Sequence, residues 1–390
     1  MSSTVSGTSF GGVLSNWSGK YIIGLTGNIA TGKSVVRRML EHLGAYTIDA
    51  DALSHRAIAR GAPGYQPVVD AFGKYILEPG GEIDRLRLGR LVFNDPEALK
   101  TLETIIHPLV EHAVDLMVQR ATQPVVVIEA IKLLEGKLVR SCNAVWTTYA
   151  PETVQKARLM DKRDMSEAEA LQRIHAQSAQ ELKTAAANVV INNVGSFEDT
   201  WEQVVAGWKE IPSIRETPPV IKSKTRSGEL AVTRGRPGDS ANIASLINRL
   251  SRVATRLSSD DVMASFGDKA YLLLNKEKDL VGLAGWQVEN LVARTTDIYI
   301  DPSVTSSLAL KTLMVEVESA SQALQCEVSL VFLSPGLAAQ ENIWKEMGYI
   351  RRTPQTLGAQ AWRDAALESQ PGNTILLFKQ LRQDRILRPI

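Results

Sequence analysis

The chain has 390 residues, more than one ordinary domain holds, and hydrophobic side chains make up 44% of it, enough for two or three cores. Its 44 basic residues nearly cancel 43 acidic ones, so the charge gives no sign of a nucleic-acid or membrane-surface partner. Cys142 and Cys326 are the only cysteines and lack metal-ligand spacing, which excludes a disulfide framework and fits a reducing cytoplasm; no apolar run approaches the ~18 residues of a membrane span.

Residues 1–20 are rich in Ser and Gly without an apolar signal core and read as a flexible leader. Residues 21–210 form the first folded region. A strand is predicted over 21–26, a helix over 33–42 and a second strand over 45–49. Asn94-Asp95-Pro96-Glu97 marks a helix start, with a capping side chain and an early Pro. VVVIEA within 124–130 has the pattern of a buried strand, 144–149 is another, and Pro151 opens a helix. Ser166 and Glu169 have capping-box spacing, and 189–192 gives a fifth strand before a helix reaching about 210. This alternation predicts an α/β fold, a doubly wound and mostly parallel sheet with helices on both faces. A Pro-rich polar linker over 211–229 is expected to be exposed, with few packed contacts crossing it. The second region covers 230–390.

The strongest motif is Gly27-Asn28-Ile29-Ala30-Thr31-Gly32-Lys33-Ser34, which matches GxxxxGK[ST] between a predicted strand and helix. Successive backbone N–H groups in such a loop form an anion-binding concavity, and the following helix adds its positive dipole end. Gly27 and Gly32 permit close approach, Lys33 can reach the β- and γ-phosphates of ATP, and Ser34 can offer a hydroxyl to Mg²⁺. The expected activity is therefore phosphoryl transfer. Asp49 and Asp51, one residue apart at the end of the second strand, supply carboxylates where ligands of open α/β sheets bind. Asp51 is the candidate base for an acceptor hydroxyl, or else a cap for the helix after it; Asp49 acts by positioning or through Mg²⁺-bound water.

GLTGNIATGKS, IDAD, GAPGYQPVVDAFG, EIDRLRLGRLVF, IIHPLV, LLE and RIHAQ follow one another in the order of the dephospho-CoA kinase family, and residues 21–208 resemble it. The resemblance implies transfer of the ATP γ-phosphoryl group to the ribose 3′-hydroxyl of dephospho-CoA, a small-molecule acceptor. It also implies that Arg85 and His107 border the acceptor, His107 being alternatively an internally packed helix-break residue. Glu129 would order water around Mg²⁺. Arg158, Arg163 and Arg173 would belong to a helical lid over ATP, with a solvated charged face as the alternative. Asn193 would lie near the adenine. Asn28 and Ala30 replace two glycines of the family's loop, and Lys132 places a charge where an aliphatic side chain is usual. These departures keep open a weakened, nucleotide- or CoA-binding regulatory protein, or a kinase for another nucleoside or nucleotide.

In the second region a strand, a helix from about Asp239, strands over 270–274 and 280–289, a strand over 296–300, a helix over 308–324 and a strand over 327–333 follow in turn. This order, with LVGLAGW and IWKEMGYIRR, resembles the GNAT acetyltransferase fold and implies an α+β domain. The segment 302–309 has no glycine for a pyrophosphate loop, and Trp344 stands where that family often has an acidic Tyr. A non-catalytic scaffold or sensing domain is the favoured reading over an active acetyltransferase.

Overall fold

The apolar run Tyr21–Gly27 forms β1, whose residues are buried from Ile22 onward. The computed structural model describes residues 17–212, 230–251 and 256–383; the leader up to residue 16 and the linker from 213 to 229 lie outside the described residues. Helix α1 (Lys33–His42) follows β1, and β2 (Tyr46–Asp49), β3 (Val125–Glu129), β4 (Ala144–Tyr149) and β5 (Val189–Asn192) complete a sheet of order β2-β3-β1-β4-β5. β1 runs parallel to β3 and β4, and β4 runs parallel to β5. The buried side chains Ile23, Leu25, Met39, Val127, Trp146 and Ile191 form one core cluster of this sheet. The expected parallel α/β architecture is observed.

Packed contacts divide the chain into two compact units that do not follow sequence order. The described residues 17–48 and 123–212 form the first, and 49–122 and 230–383 the second. Four helices, α2 (Ala50–Ala57), α3 (Tyr65–Phe72), α4 (Arg85–Asn94) and α5 (Pro96–Arg120), lie between β2 and β3 in the chain. Asp95 caps α5 by accepting from the N–H groups of Glu97 and Ala98, and Pro96 stands at its start, as the sequence predicts. The helix runs on through Pro108 for 25 residues, so His107 does not break it. After β4 come α6 (Glu152–Arg163), α7 (Glu167–His175) and α8 (Gln180–Ala186), then β5 and α9 (Phe197–Lys209). Ser166 and Glu169 form the expected capping box of α7.

The rest of the second unit holds β6 (Leu230–Arg234), α10 (Ser240–Leu250), α11 (Ser259–Ser265), β7 (Ala270–Lys276), β8 (Asp279–Glu289), β9 (Val292–Ile300), α12 (Ser306–Ala323) and β10 (Val328–Leu333). Two short helices, α13 (Pro335–Ala338) and α14 (Glu341–Glu346), then β11 (Ile350–Arg351), α15 (Gln360–Ser369) and β12 (Ile375–Gln380) complete it. The sheet order is β11-β12-β10-β9-β8-β7-β6, with β9 and β10 the parallel pair. Helix α12 buries Leu310, Leu313, Met314 and Val317 in a core with Leu274, Trp286, Val331 and Trp344. This is the α+β arrangement expected of the second region. Among the described residues no helix is long and apolar enough to cross a membrane.

Candidate active site

The first unit builds a phosphate cradle at the end of β1. Gly27 has φ 150° and Gly32 φ 95°, both favouring glycine. A Cβ on Gly32 would stand 1.8 Å from Asn193 Nδ2, and one on Gly27 would stand 2.3 Å from Thr148 Oγ1. Close approach of neighbouring side chains therefore fixes both glycines. Lys33, 8% exposed, donates from Nζ to the carbonyls of Gly27 and Asn28 at 3.0 and 3.2 Å. Ser34, beside it in the first turn of α1, is exposed.

The loop is braced from three directions. Asn193 donates to the Thr31 carbonyl at 2.9 Å and accepts from Thr200 Oγ1 at 3.2 Å. Thr31 Oγ1 lies 2.7 Å from Thr148 Oγ1. Arg158 donates to the carbonyls of Ala30 (3.0 Å) and Asn193 (2.8 Å), and partial burial lowers its pKa from the ordinary arginine value. Asn193, expected near the adenine, is buried and braces the loop. Arg158 likewise grips the loop backbone.

Two further bonds brace the loop, through Gln177 and through Asn28. Gln177 Oε1 accepts from the N–H of Ile29 at 2.6 Å, and Asn28 Nδ2 donates to the Ser178 carbonyl at 2.8 Å. RIHAQ contained the signal, since Gln177 closes that motif. Ile29 and Ala30 also pack against Leu159, Ala170 and Ile174 of α6 and α7, which ties the lid helices to the loop. The unusual loop residues thus have occupations: Asn28 anchors, and Ala30 adopts φ 58°, a left-handed conformation costing a non-glycine residue about 1 kcal/mol. Lys132 is exposed, so its charge is not buried.

Glu129 closes β3 and is 4% exposed. Its Oε2 pairs with Arg37 Nε at 2.7 Å, and Arg37 also bonds Glu41 at 3.1 Å. Burial opposes ionisation of Glu41, but Arg37, Arg38 and a hydrogen bond from Thr47 outweigh it and hold the carboxyl below its usual range. Glu129 is therefore a carboxylate partly neutralised by a neighbouring arginine. Arg173 is exposed in the last turn of α7. Arg163 ends α6, and its side chain lies outside the described residues.

The second unit holds the remaining expected residues. Asp49 caps α2 by accepting from the Ala52 N–H at 2.8 Å, and Asp51 lies in the first turn of that helix. The cap is thus Asp49, which leaves the helix-cap alternative for Asp51 without support. Arg85 opens α4 and lines a cleft of about 270 Å³ together with His55, Ile83 and Leu86. Burial in this cleft, then the charge of Arg85, lowers the His55 pKa below its ordinary value, with Asp49 acting in the opposite sense. His107 is exposed on α5 and is not among the cleft's lining residues. Burial of the Cys142 thiol pushes its pKa up to about 12, so it is no nucleophile at neutral pH.

A dephospho-CoA kinase from Carboxydothermus hydrogenoformans is 43% identical over 187 residues, which cover 47% of this chain and 91% of that relative. The chain belongs to the dephospho-CoA kinase family. The family model described as dephospho-CoA kinase matches residues 21–199, and the Geobacter metallireducens dephospho-CoA kinase is 42% identical, covering 48% of this chain and 96% of the relative. Among solved structures, a dephospho-CoA kinase from Campylobacter jejuni is 27% identical, with a TM-score of 0.34 over 50% of this chain and 98% of that one. The ribosomal-protein-S18-alanine N-acetyltransferase from Escherichia coli is 12% identical, with a TM-score of 0.32 over 40% of this chain and 97% of that one. As a member of the dephospho-CoA kinase family, the chain is a kinase that uses ATP and a small-molecule substrate.

Proposed function

We propose that the chain transfers the γ-phosphoryl group of ATP to the ribose 3′-hydroxyl of dephospho-CoA, giving coenzyme A and ADP. The observation that carries this reading is the braced Gly27–Ser34 loop at the end of β1, in a chain whose family is dephospho-CoA kinase. The loop's backbone N–H groups and the α1 dipole hold the anionic phosphates. Lys33 is the cation for the β- and γ-phosphates. Asp51 accepts the proton of the 3′-hydroxyl as the new P–O bond forms; the bond to the β,γ-bridging oxygen breaks, and ADP leaves with that electron pair. Asp49 positions Asp51 by capping its helix.

Arg158 keeps the loop in shape, while Arg163 and Arg173 on the lid helices are the cations for the nucleotide's phosphates. Arg85 and His107 belong to the acceptor side. Among the described residues no three His, Cys, Asp or Glu side chains cluster as a metal site. Mg²⁺ in such enzymes binds largely through substrate phosphates and water, with one or two protein oxygens. Ser34 would supply its protein hydroxyl, and Glu129 would order its water. Bound there, Mg²⁺ neutralises charge on the phosphate oxygens.

The test is an ADP-release assay on the purified chain across dephospho-CoA, nucleoside monophosphates and pantetheine compounds. Turnover confined to dephospho-CoA is expected. Preference for a nucleoside monophosphate would overturn the acceptor, and absence of turnover with every compound would overturn the activity.

A further inference from the structure

Within the second unit, α2 and α5 are fastened to the C-terminal region by polar bonds that range from exposed to buried. Arg56 Nη2 pairs with Glu327 Oε1 at 2.5 Å, with the side chains 12% and 2% exposed. Arg56 Nη1 donates to the Asn290 carbonyl, and Trp362 Nε1 donates to the second oxygen of Glu327 at 3.1 Å. Gln325 Nε2 reaches the Met117 carbonyl of α5 at 2.8 Å. Removing one member of such a pair leaves an uncompensated buried charge, so these bonds fix one arrangement rather than a loose contact.

His55, the neighbour of Arg56 on α2, lines the same cleft as Arg85. Helix α15 also lines that cleft, through Gln360 and Asp364. Gln360 Nε2 donates to Asp364 Oδ1 at 2.7 Å, and Arg363 binds Gln360 Oε1 at 2.6 Å, which sets the direction of the amide. Of the carboxylates lining the cleft, Asp84 is paired with Arg87 and Glu82 with Arg363, which leaves Glu78 and Asp364 against Arg85, and lowering of its pKa leaves His55 uncharged at neutral pH. A polyphosphate is poorly suited to such a lining. An uncharged chain bearing amide N–H and hydroxyl donors is well suited to it.

We propose that the C-terminal region completes the acceptor site: Gln360 and Asp364 bind the pantetheine arm of the acceptor in the cleft that His55 and Arg85 also line, and the Arg56–Glu327 pair positions their helix. The proposal rests on the dephospho-CoA reading above and adds to it the segment that recognises the arm. Gln360 and Asp364 act as specificity residues, and Arg56 and Glu327 as positioning residues.

The experiment uses the full chain with Asp364→Asn, Gln360→Ala and Glu327→Gln. Loss of a hydrogen bond to the arm raises the KM for dephospho-CoA about fivefold, with the KM for ATP unchanged and kcat within about twofold. Glu327→Gln should show the same split. Because that buried substitution can unfold the chain, Asp364→Asn carries the test on its own. An unchanged KM for dephospho-CoA in Asp364→Asn and Gln360→Ala, or an equal rise in both KM values, overturns the proposal. If the wild-type chain fails to phosphorylate dephospho-CoA, the functional reading fails. The cleft is then judged by calorimetric titration of dephospho-CoA into wild type and Asp364→Asn: weaker binding in the variant supports it and equal affinity overturns it.

Discussion

Two loops in this chain lead from a strand into a long helix, and they differ in what they do with their amide groups. Between β1 and α1, two glycines bring the backbone close, and Asn193, Gln177 and Arg158 hold it from outside. Between β9 and α12, Pro302 removes one donor, and the Asp301 carboxylate takes the Ser303 N–H at 2.9 Å while pairing with Arg249 at 2.7 Å. Thr305 stands at the N-cap of α12 without a side-chain capping bond. Both helices carry a positive dipole end. The first loop is held around a lysine whose Nζ bonds two of its carbonyls, whereas the second places a carboxylate beside its helix start. A helix start alone is therefore a weak anion site.

The proposed phosphate chemistry belongs to the first loop, and the largest expected effects lie there. Lys33→Ala should cost turnover by about 10³-fold with the fold intact by circular dichroism, since it removes a charge aimed at the transferring phosphoryl group. Near-normal turnover would remove the first loop from the chemistry. Asp51→Asn should lower kcat by about 10²-fold while the affinity for ATP changes little. Lost ATP binding with kcat retained would make Asp51 a nucleotide ligand instead. Gly32→Ala drives a methyl group onto Asn193 and demands an unfavourable φ, so it should weaken ATP binding about tenfold and lower the melting temperature. An unperturbed variant would show that close approach is not what requires the glycine.

The smaller effects sharpen the contrast. Gln177→Ala leaves the Ile29 N–H without its side-chain acceptor and should cost about 1 kcal/mol, roughly fivefold in ATP affinity by titration. At the second loop the expected outcome is a null: the full chain should transfer no acetyl group from acetyl-CoA to common amines above background. Trp344 cannot serve as an acid there, because it is 2% exposed, donates to the Leu337 carbonyl and packs edge-on against Tyr349. Robust transfer would mean that a phosphate-poor loop of this kind still supports such chemistry.

The cradle was legible because its motif is local, eight consecutive residues between a strand and a helix. Its braces were not. Asn193 lies 162 residues from the carbonyl it holds and Gln177 148 residues from its amide, separations no window of sequence spans. The motif marks Asn193 as a site residue, but its hold on the loop shows only in the fold. The strands of the first sheet were legible from their apolar runs. The helices between β2 and β3 are harder to read, since α2 and α3 are eight residues each and show no long amphipathic period. His107-Pro108 suggested a break in α5, yet both residues are exposed, where water can serve a carbonyl that Pro leaves unbonded. β12 carries an apolar run, Ile375 to Phe378, that is readable as a strand, and it pairs antiparallel with β10. The linker over 211–229 suggested two independent halves, whereas the packing joins 49–122 to the chain beyond it.

That joining has a consequence for how the polypeptide is made. Tyr21 pairs with Val125, so the first sheet closes only after the α2–α5 stretch has left the ribosome. Arg56 must then wait for Glu327, and Met117 for Gln325, until nearly the whole chain has emerged. Until then the nascent chain carries a helical insert some of whose final partners have not been made. A chaperone that shields exposed helical surface would meet this insert first, and a stalled or truncated product would present it permanently.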